Sequence, residues 1–215
     1  MSRPTTAHRI EDEAALRAIH GEPSDGARAK AIDRIDDHAR RFLERCPFVV
    51  LATRGKGGGD CSPRGDAPGF LRVLDDTTLL LPERPGNRRA DSLVNVLEDP
   101  RVGLLCMIPG MNETLRVNGR AWIVDDPELL AESAVGGKAP RLGLWIHVEE
   151  LYFHCAKAFV RSRLWDASRQ LERSEFPSLG RMVLDQIHGR AHDPDEALVR
   201  TVDAALAQDE REHLY

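Results

Sequence analysis

The chain has 215 residues, 41% of them hydrophobic and 30% charged, with a net charge of −5 at neutral pH. That length suits one generous domain, or a core domain with helical additions, and suffices to bury a core without disulfides or a structural metal. The negative balance and the lack of any apolar run of membrane-spanning length argue against nucleic acid and membrane partners.

Four widely spaced cysteines (Cys46, Cys61, Cys106, Cys155) form no C-x-x-C pair, and the first nine residues lack the apolar stretch of a secretion signal. We therefore expect reduced thiols and a cytoplasmic protein. Apolar residues at helical spacing predict helices over 11–20 and 31–45, separated by the turn chemistry of Pro23, Ser24 and Asp25. From residue 46 the texture changes. Residues 46–53 are β-prone, the glycines at 55 and 57 to 59 stop them, and a second strand beginning near Asp60 completes a hairpin. Residues 70–74 and 77–81, with Asp75 and Asp76 between them, predict another hairpin.

A helix over 91–97 follows, with Leu93, Val94 and Leu97 among its apolar positions, then strands over 101–108, 114–124 and 142–151. The long strand places Leu115, Val117, Gly119, Ala121 and Ile123 on one face. A short helix over 125–135 lies between the last two strands and ends at Gly136 and Gly137. Helices over 156–163, 178–188 and 195–211 complete the chain. Charges such as Asp193, Asp195, Glu196 and Asp209 to Glu212 give the last segment a solvated face. The hairpin-rich order argues against a doubly wound parallel sheet and for a small antiparallel barrel with no long exposed edge. The expected organisation is a helical segment over 1–45, a barrel over 46–166 and a helical extension over 167–215.

Two stretches carry chemical information. In the first, Pro82-Glu83-Arg84-Pro85-Gly86-Asn87-Arg88-Arg89 runs from a strand into the helix. Asn87 is a preferred N-cap, which would put Arg88 and Arg89 in the first helical turn, where cations oppose the macrodipole. An anion held between those side chains and the free backbone N–H groups would reverse that cost, so the segment reads as a phosphate clamp. It reads equally as a solvated loop with two surface arginines. In the second, Ser62, Arg64 and Asp66 alternate in Ser62-Pro63-Arg64-Gly65-Asp66. On an extended chain they share one face, a set of groups able to read the polar rim of a flat heteroaromatic ring. An irregular surface loop with a salt bridge is the alternative. Glycine and proline in a central strand also predict a bulge or the close approach of a ligand.

The order S-P-R-G-D, L-D-D-x-T-L, P-x-R-P-G-N-R-R-x-D-S-L-x-N, D-P-R-V-G-L-L and N-E-T-L-R-V-N-G-R-A resembles the pyridoxamine 5′-phosphate oxidase-like flavoproteins, most of all a branch with a helical C-terminal extension. The resemblance spans about residues 48–165. It implies a mainly β fold with α additions, the FMN-binding split β-barrel, assembled as a homodimer with two flavins at the subunit interface. By position it assigns Asn87, Arg88 and Arg89 to the flavin phosphate. Pro82 and Glu83 fall where backbone contacts reach the flavin, and Ser62, Pro63, Arg64, Gly65 and Asp66 along the isoalloxazine edge. Thr114 stands where the oxidase has a glutamine near the flavin. The substrate-binding R-L-H-D-R-type segment of the oxidase proper is missing. In its place, His154-Cys155-Ala156-Lys157-Ala158 through Arg161-Ser162-Arg163-Leu164-Trp165 resembles the signature of the extended branch. There His154, Lys157 and Arg161 would form a cationic lip for substrate, or Arg161 and Arg163 would pair with acids at a dimer interface.

The expected protein is thus an FMN-dependent oxidoreductase that does not oxidise pyridoxamine phosphate itself. The alternatives are a flavin carrier without turnover, or a split barrel holding haem or a deazaflavin. Cys155 reads as a small apolar residue rather than a nucleophile. No metal site is expected from His147, His154 and Cys155. Trp122, Trp145 and Trp165 read as core or interface anchors, with Trp165 also able to stack near a flavin.

Overall fold

The computed structural model describes residues 9–189 and 195–215. Residues 1–8 of the expected N-terminal segment, and Asp193 of the charged face, lie outside the described residues.

Three helices open the chain: Glu13–His20 (α1), Asp25–Ala29 (α2) and Asp37–Leu43 (α3). The expected 31–45 helix is shorter because Asp36 caps it, its carboxylate accepting the Ala39 N–H at 2.8 Å. Upstream, Ile32 instead exchanges backbone hydrogen bonds with Leu151. The α2 helix, absent from the sequence reading, is one turn capped by Ser24. The strands are Phe48–Gly55 (β1), Gly58–Gly65 (β2), Arg72–Val73 (β3), Thr78–Pro82 (β4), Arg101–Met107 (β5), Thr114–Val124 (β6) and Gly143–His154 (β7). They form one antiparallel sheet in the order β2-β1-β5-β6-β7-β4-β3, the split β-barrel. Between them lie Asp91–Glu98 (α4) and Pro127–Ala131 (α5). Lys157–Ser162 (α6), Leu179–His188 (α7) and Glu196–Glu212 (α8) follow.

The barrel interior follows from strand alternation. Val49 and Leu51 of β1, Leu104 and Cys106 of β5, Leu115, Val117 and Ala121 of β6, and Leu79 and Leu81 of β4 point inward and are almost fully buried. On β7 the inward residues are Leu144, Ile146, Val148 and then Leu151, three positions on. The register slips there, with Asn118 opposite Glu150 and Gly119 opposite Val148, so Glu149 is the extra residue of a β-bulge. The bulge restores parity and keeps Leu151 inside. It also brings the backbone so close that a Cβ on Gly119 would stand 2.0 Å from the His147 carbonyl oxygen. Ala39, Phe42 and Leu43 of α3 and Leu93 and Val96 of α4 cover the rest of the core.

Three expectations change. The barrel does leave an edge, since β2 pairs only with β1 over its whole length. Pro63 is accommodated because it sits on that edge strand, and the β1–β2 register runs without a bulge. On α4 the buried apolar pair is Leu93 and Val96, while Val94 and Leu97 are exposed. The α7–α8 pair buries Leu184 and Val199, and the Asp203 carboxylate accepts the Gly180 N–H at 2.8 Å. Asp195, Glu196 and Asp209 to Glu212 are exposed. No helix among the described residues is long and apolar enough to cross a membrane.

Candidate cofactor-binding site

A groove of about 950 Å³ runs along the free edge of β2, between the β4–α4 loop and the segment that leads into β7. Ser62, Pro63, Arg64 and Gly65 form one wall; Pro82, Glu83, Asn87, Arg88 and Arg89 form another. Two stretches that are distant in sequence meet because the barrel brings the ends of β2 and β4 together. Ser62 and Arg64 face the groove from alternate positions of β2, with Arg64 Nη1 donating to Ser62 Oγ at 3.0 Å and Arg64 Nε to Glu83 Oε2 at 3.3 Å. At the other end of Ser62, its hydroxyl lies 2.8 Å from that of Ser92, which also donates to Asp60 Oδ2 at 3.1 Å. This ties the start of α4 to β2.

The loop before α4 departs from the sequence reading. Asn87 is not an N-cap: the helix begins four residues later, at Asp91, behind Ala90 in the left-handed conformation (φ 56°), with no side-chain cap. The Asn87 side chain instead accepts the N–H of Arg89 at 3.0 Å, closing a local turn. Arg88 and Arg89 therefore lie in the loop rather than in the helix. Arg88 is also left-handed (φ 59°), and with Ala90 and Arg163 it makes up the described non-glycine residues at positive φ. Such positions cost about 1–3 kcal/mol each and cluster at ligand clamps. Six of the eight α-helices described are capped by an Asp or Ser side chain; α4 and α6 are not. The first N–H groups of α4 thus lack side-chain acceptors and open on the groove. Arg89 pairs with Asp91 at 2.7 Å, which raises its pKa, whereas Arg88 has no ion-pair partner among the described residues.

Asp66 follows β2 and lies under the groove rather than on its surface, its side chain 2% exposed. It accepts from Arg84 Nε at 2.6 Å, the Tyr215 hydroxyl at 2.9 Å and the Ala67 N–H at 2.7 Å. Burial alone would raise its pKa, but these three donors outweigh it and the pKa is lowered. The hydrogen bond to Asp66 correspondingly raises that of Tyr215. Arg84, Lys138, Arg141 and Tyr215 all line the groove, and sequence reasoning missed them. Arg84 stood inside the informative stretch, and Lys138 and Arg141 flank a proline in a turn read only as a helix stop. Nothing local marks Tyr215. In all, the lining holds six cations (Arg64, Arg84, Arg88, Arg89, Lys138, Arg141) against three carboxylates (Asp60, Glu83, Asp91), so an acidic protein carries a cationic groove.

A family model described as pyridoxamine 5′-phosphate oxidase matches residues 35–155, more than half of the chain. The chain belongs to the pyridoxamine 5′-phosphate oxidase family. The match takes in α3, every strand and the whole β4–α4 loop, and stops before α6. No curated protein matches the chain. Among solved structures, HupZ of Group A Streptococcus is 17% identical, covers 55% of this chain and 93% of its own, and superposes with a TM-score of 0.44. An FMN-binding protein of Syntrophomonas wolfei is 13% identical over 54% of this chain and 88% of its own, with a TM-score of 0.41. General Stress Protein 26 of Bacillus anthracis is 15% identical over 53% and 88%, also with a TM-score of 0.41.

Within this family member, the remaining site residues go elsewhere. Thr114 is buried at the start of β6, opposite His154 in the β6–β7 register, and does not line the groove. His154, Lys157 and Arg161 sit with it at that end of the barrel, the latter two four residues apart on α6. They are exposed and face no part of the groove in the same chain. Arg163 pairs locally with Asp166. Trp165 stacks on Phe159 and donates its indole N–H to the Met111 carbonyl, so it packs on α6 rather than beside the groove. Trp122 is 47% exposed and meets Trp145 edge to face on the outer side of the sheet. The Glu83 N–H is taken by the Leu142 carbonyl at 2.9 Å. That leaves the Glu83 carboxylate, rather than its backbone donor, for the groove. Among the described residues, no group of three His, Cys, Asp or Glu could hold a metal ion.

Proposed function

We propose that the groove binds FMN and that the protein is an FMN-dependent oxidoreductase acting on a substrate other than pyridoxamine phosphate. The observation that carries this reading is the uncapped start of α4 behind a strained loop bearing an unpaired Arg88, on the edge of a family barrel. A phosphate there accepts from the free N–H groups of the first helical turn and from Arg88 and Arg89 of the loop before it. Along β2, Ser62 and the Arg64–Glu83 pair supply both donors and acceptors to the rim of the flavin ring. When bound, the flavin supplies hydride or electron transfer; the chain supplies binding, orientation and electrostatics. No residue of the groove stands out as a catalytic acid or base.

The proposal includes a homodimer. Phe48, Val50, Leu105 and Met107 are half-buried on the outer face of β1 and β5, in register as Phe48 with Met107 and Val50 with Leu105. The same two β1 residues pair with Gly65 and Pro63 of the groove wall, so the apolar patch is continuous with the groove. A second copy seated there would bring its own surface against the ligand. In that arrangement His154, Lys157 and Arg161 would serve the partner's groove, with Thr114 buried beneath them. The domain division at residues 46 and 166 and the cytoplasmic setting belong to the same proposal. The latter rests on four cysteines that are all free thiols, two of them exposed.

A second reading is a flavin carrier, favoured by the lack of the R-L-H-D-R-type substrate segment of the oxidase proper. The test is the visible absorption spectrum of the purified protein, followed by NAD(P)H oxidation. Flavin bands with turnover support the enzyme, and flavin bands without turnover the carrier. A different chromophore, such as the intense band of haem, would refute FMN.

A further inference from the structure

The groove has a direction. The start of α4 is tied to β2 at Asp60 and Ser62, through the Ser92 hydroxyl. Tyr215 is tied to Asp66, just past the end of β2 and four residues, or roughly 13 Å of extended chain, beyond Ser62. One end is therefore an anion site and the other an aromatic one. Tyr215 follows α8, outside the residues matched by the family model, and comes to the groove by a contact spanning 149 positions of sequence. Three independent contacts hold it. Its hydroxyl donates to Asp66 Oδ1 at 2.9 Å, the Arg84 guanidinium lies over its ring at 5.4 Å, and Lys138 Nζ donates to its main-chain oxygen at 3.0 Å. Asp66 and Arg84 are themselves buried, with side chains 2% and 15% exposed, so the ring is mounted on rigid groups.

We infer that Tyr215 is the ring-end wall of the ligand site, so that the helical extension completes the groove by placing a phenol against a flat heteroaromatic ring whose phosphate sits at Arg88. This rests on the FMN reading above. It assigns the α7–α8 pair a role: it delivers a second aromatic residue to a groove that Phe70 also lines. Aromatic pairs prefer offset or edge-to-face contact, and a ring held in place needs little further ordering to make it.

The experiment is FMN titration of the wild type, Tyr215→Phe and Tyr215→Ala, following both affinity and the fluorescence of the bound flavin. A phenol in contact with a flavin quenches its emission, and a phenyl ring quenches far less. The expected result is quenched FMN in the wild type, brighter FMN in Tyr215→Phe with affinity retained within about threefold, and a roughly 3- to 10-fold weaker Tyr215→Ala. Variants that match the wild type in affinity and brightness overturn the contact and leave the cofactor standing. A Tyr215→Ala variant that binds more weakly with unchanged emission from both variants also overturns it, since that marks a purely structural role. A wild type that takes up no FMN removes the cofactor and the contact together.

Discussion

Replacing Arg84 by methionine removes the cation from a carboxylate whose side chain is 2% exposed. Asp66 keeps the Ala67 N–H and the Tyr215 hydroxyl, but it loses its ion-pair partner, and the Ser133 carbonyl loses the Arg84 donor at 2.9 Å. Breaking a fully buried ion pair from one side costs about 3–5 kcal/mol. Here two hydrogen bonds survive and the pair borders an open groove, so we expect about 2–3 kcal/mol. In a protein of this size that lowers Tm by roughly 4–10 °C. The pH dependence identifies the cause. In the wild type the folded pKa of Asp66 is lowered, so its contribution is present above the unfolded value of 3.8 and is lost as pH falls through the folded value. In Arg84→Met the buried carboxylate is left without its cation, its pKa rises, and acidification relieves the penalty. The gap in stability between the two proteins should therefore narrow from pH 7 towards pH 4, as read by urea unfolding at each pH. Asp66→Asn in the Arg84→Met background should cost much less than Asp66→Asn alone, with a coupling of about 2 kcal/mol by double-mutant cycle. Additive costs and a gap independent of pH would refute the reasoning.

Two further outcomes follow from the geometry. Gly119→Ala places a Cβ 2.0 Å from the His147 carbonyl oxygen at the β7 bulge, against backbone that cannot yield cheaply. We expect a loss of about 3 kcal/mol or more, measured by thermal unfolding, and a wild-type Tm would show that the bulge is absent. The Tyr215–Asp66 hydrogen bond should persist from below the ordinary aspartate value of 3.8, because the folded Asp66 pKa is lowered, to above the ordinary tyrosine value of 10.0, because that of Tyr215 is raised. Ultraviolet titration of the phenols should show a component ionising above the ordinary value of 10.0, and that component should vanish in Tyr215→Phe.

The strands were legible because they carry period-two alternation, as in β1, β5 and β6, or a compact apolar run, as in β4, between Gly, Pro or paired aspartates. That is why the predicted bounds of β6 coincide with the observed ones. The bulge was not legible, because the extra Glu149 acquires meaning only from the partner strand. Asn87 misled for a physical reason: an asparagine that can cap a helix can equally close a turn on itself, and here its side chain is spent on Arg89. Asn87, Arg88 and Arg89 nonetheless line the groove, since the turn at Pro85-Gly86 and the two arginines are local features. Ser62 and Arg64 both line the groove, as their alternation implies, whereas Asp66 lies past the end of β2 and supports the groove from beneath. Thr114 came only from positional resemblance and lies elsewhere. Arg84, Lys138, Arg141 and Tyr215 reach the groove through tertiary packing, on which no neighbouring residue reports.

The central claim is a phosphate held by the loop that enters α4. It is tested most directly by the ratio of FMN to riboflavin affinity in the wild type and in Arg88→Ala/Arg89→Ala. The two ligands differ by the phosphate alone, and charge-assisted hydrogen bonds should favour FMN by roughly 10- to 100-fold in the wild type. The account predicts that the double variant loses most of this preference while its riboflavin affinity stays near the wild-type value. Equal affinity for the two ligands in the wild type, or a preference that survives both substitutions, would contradict it.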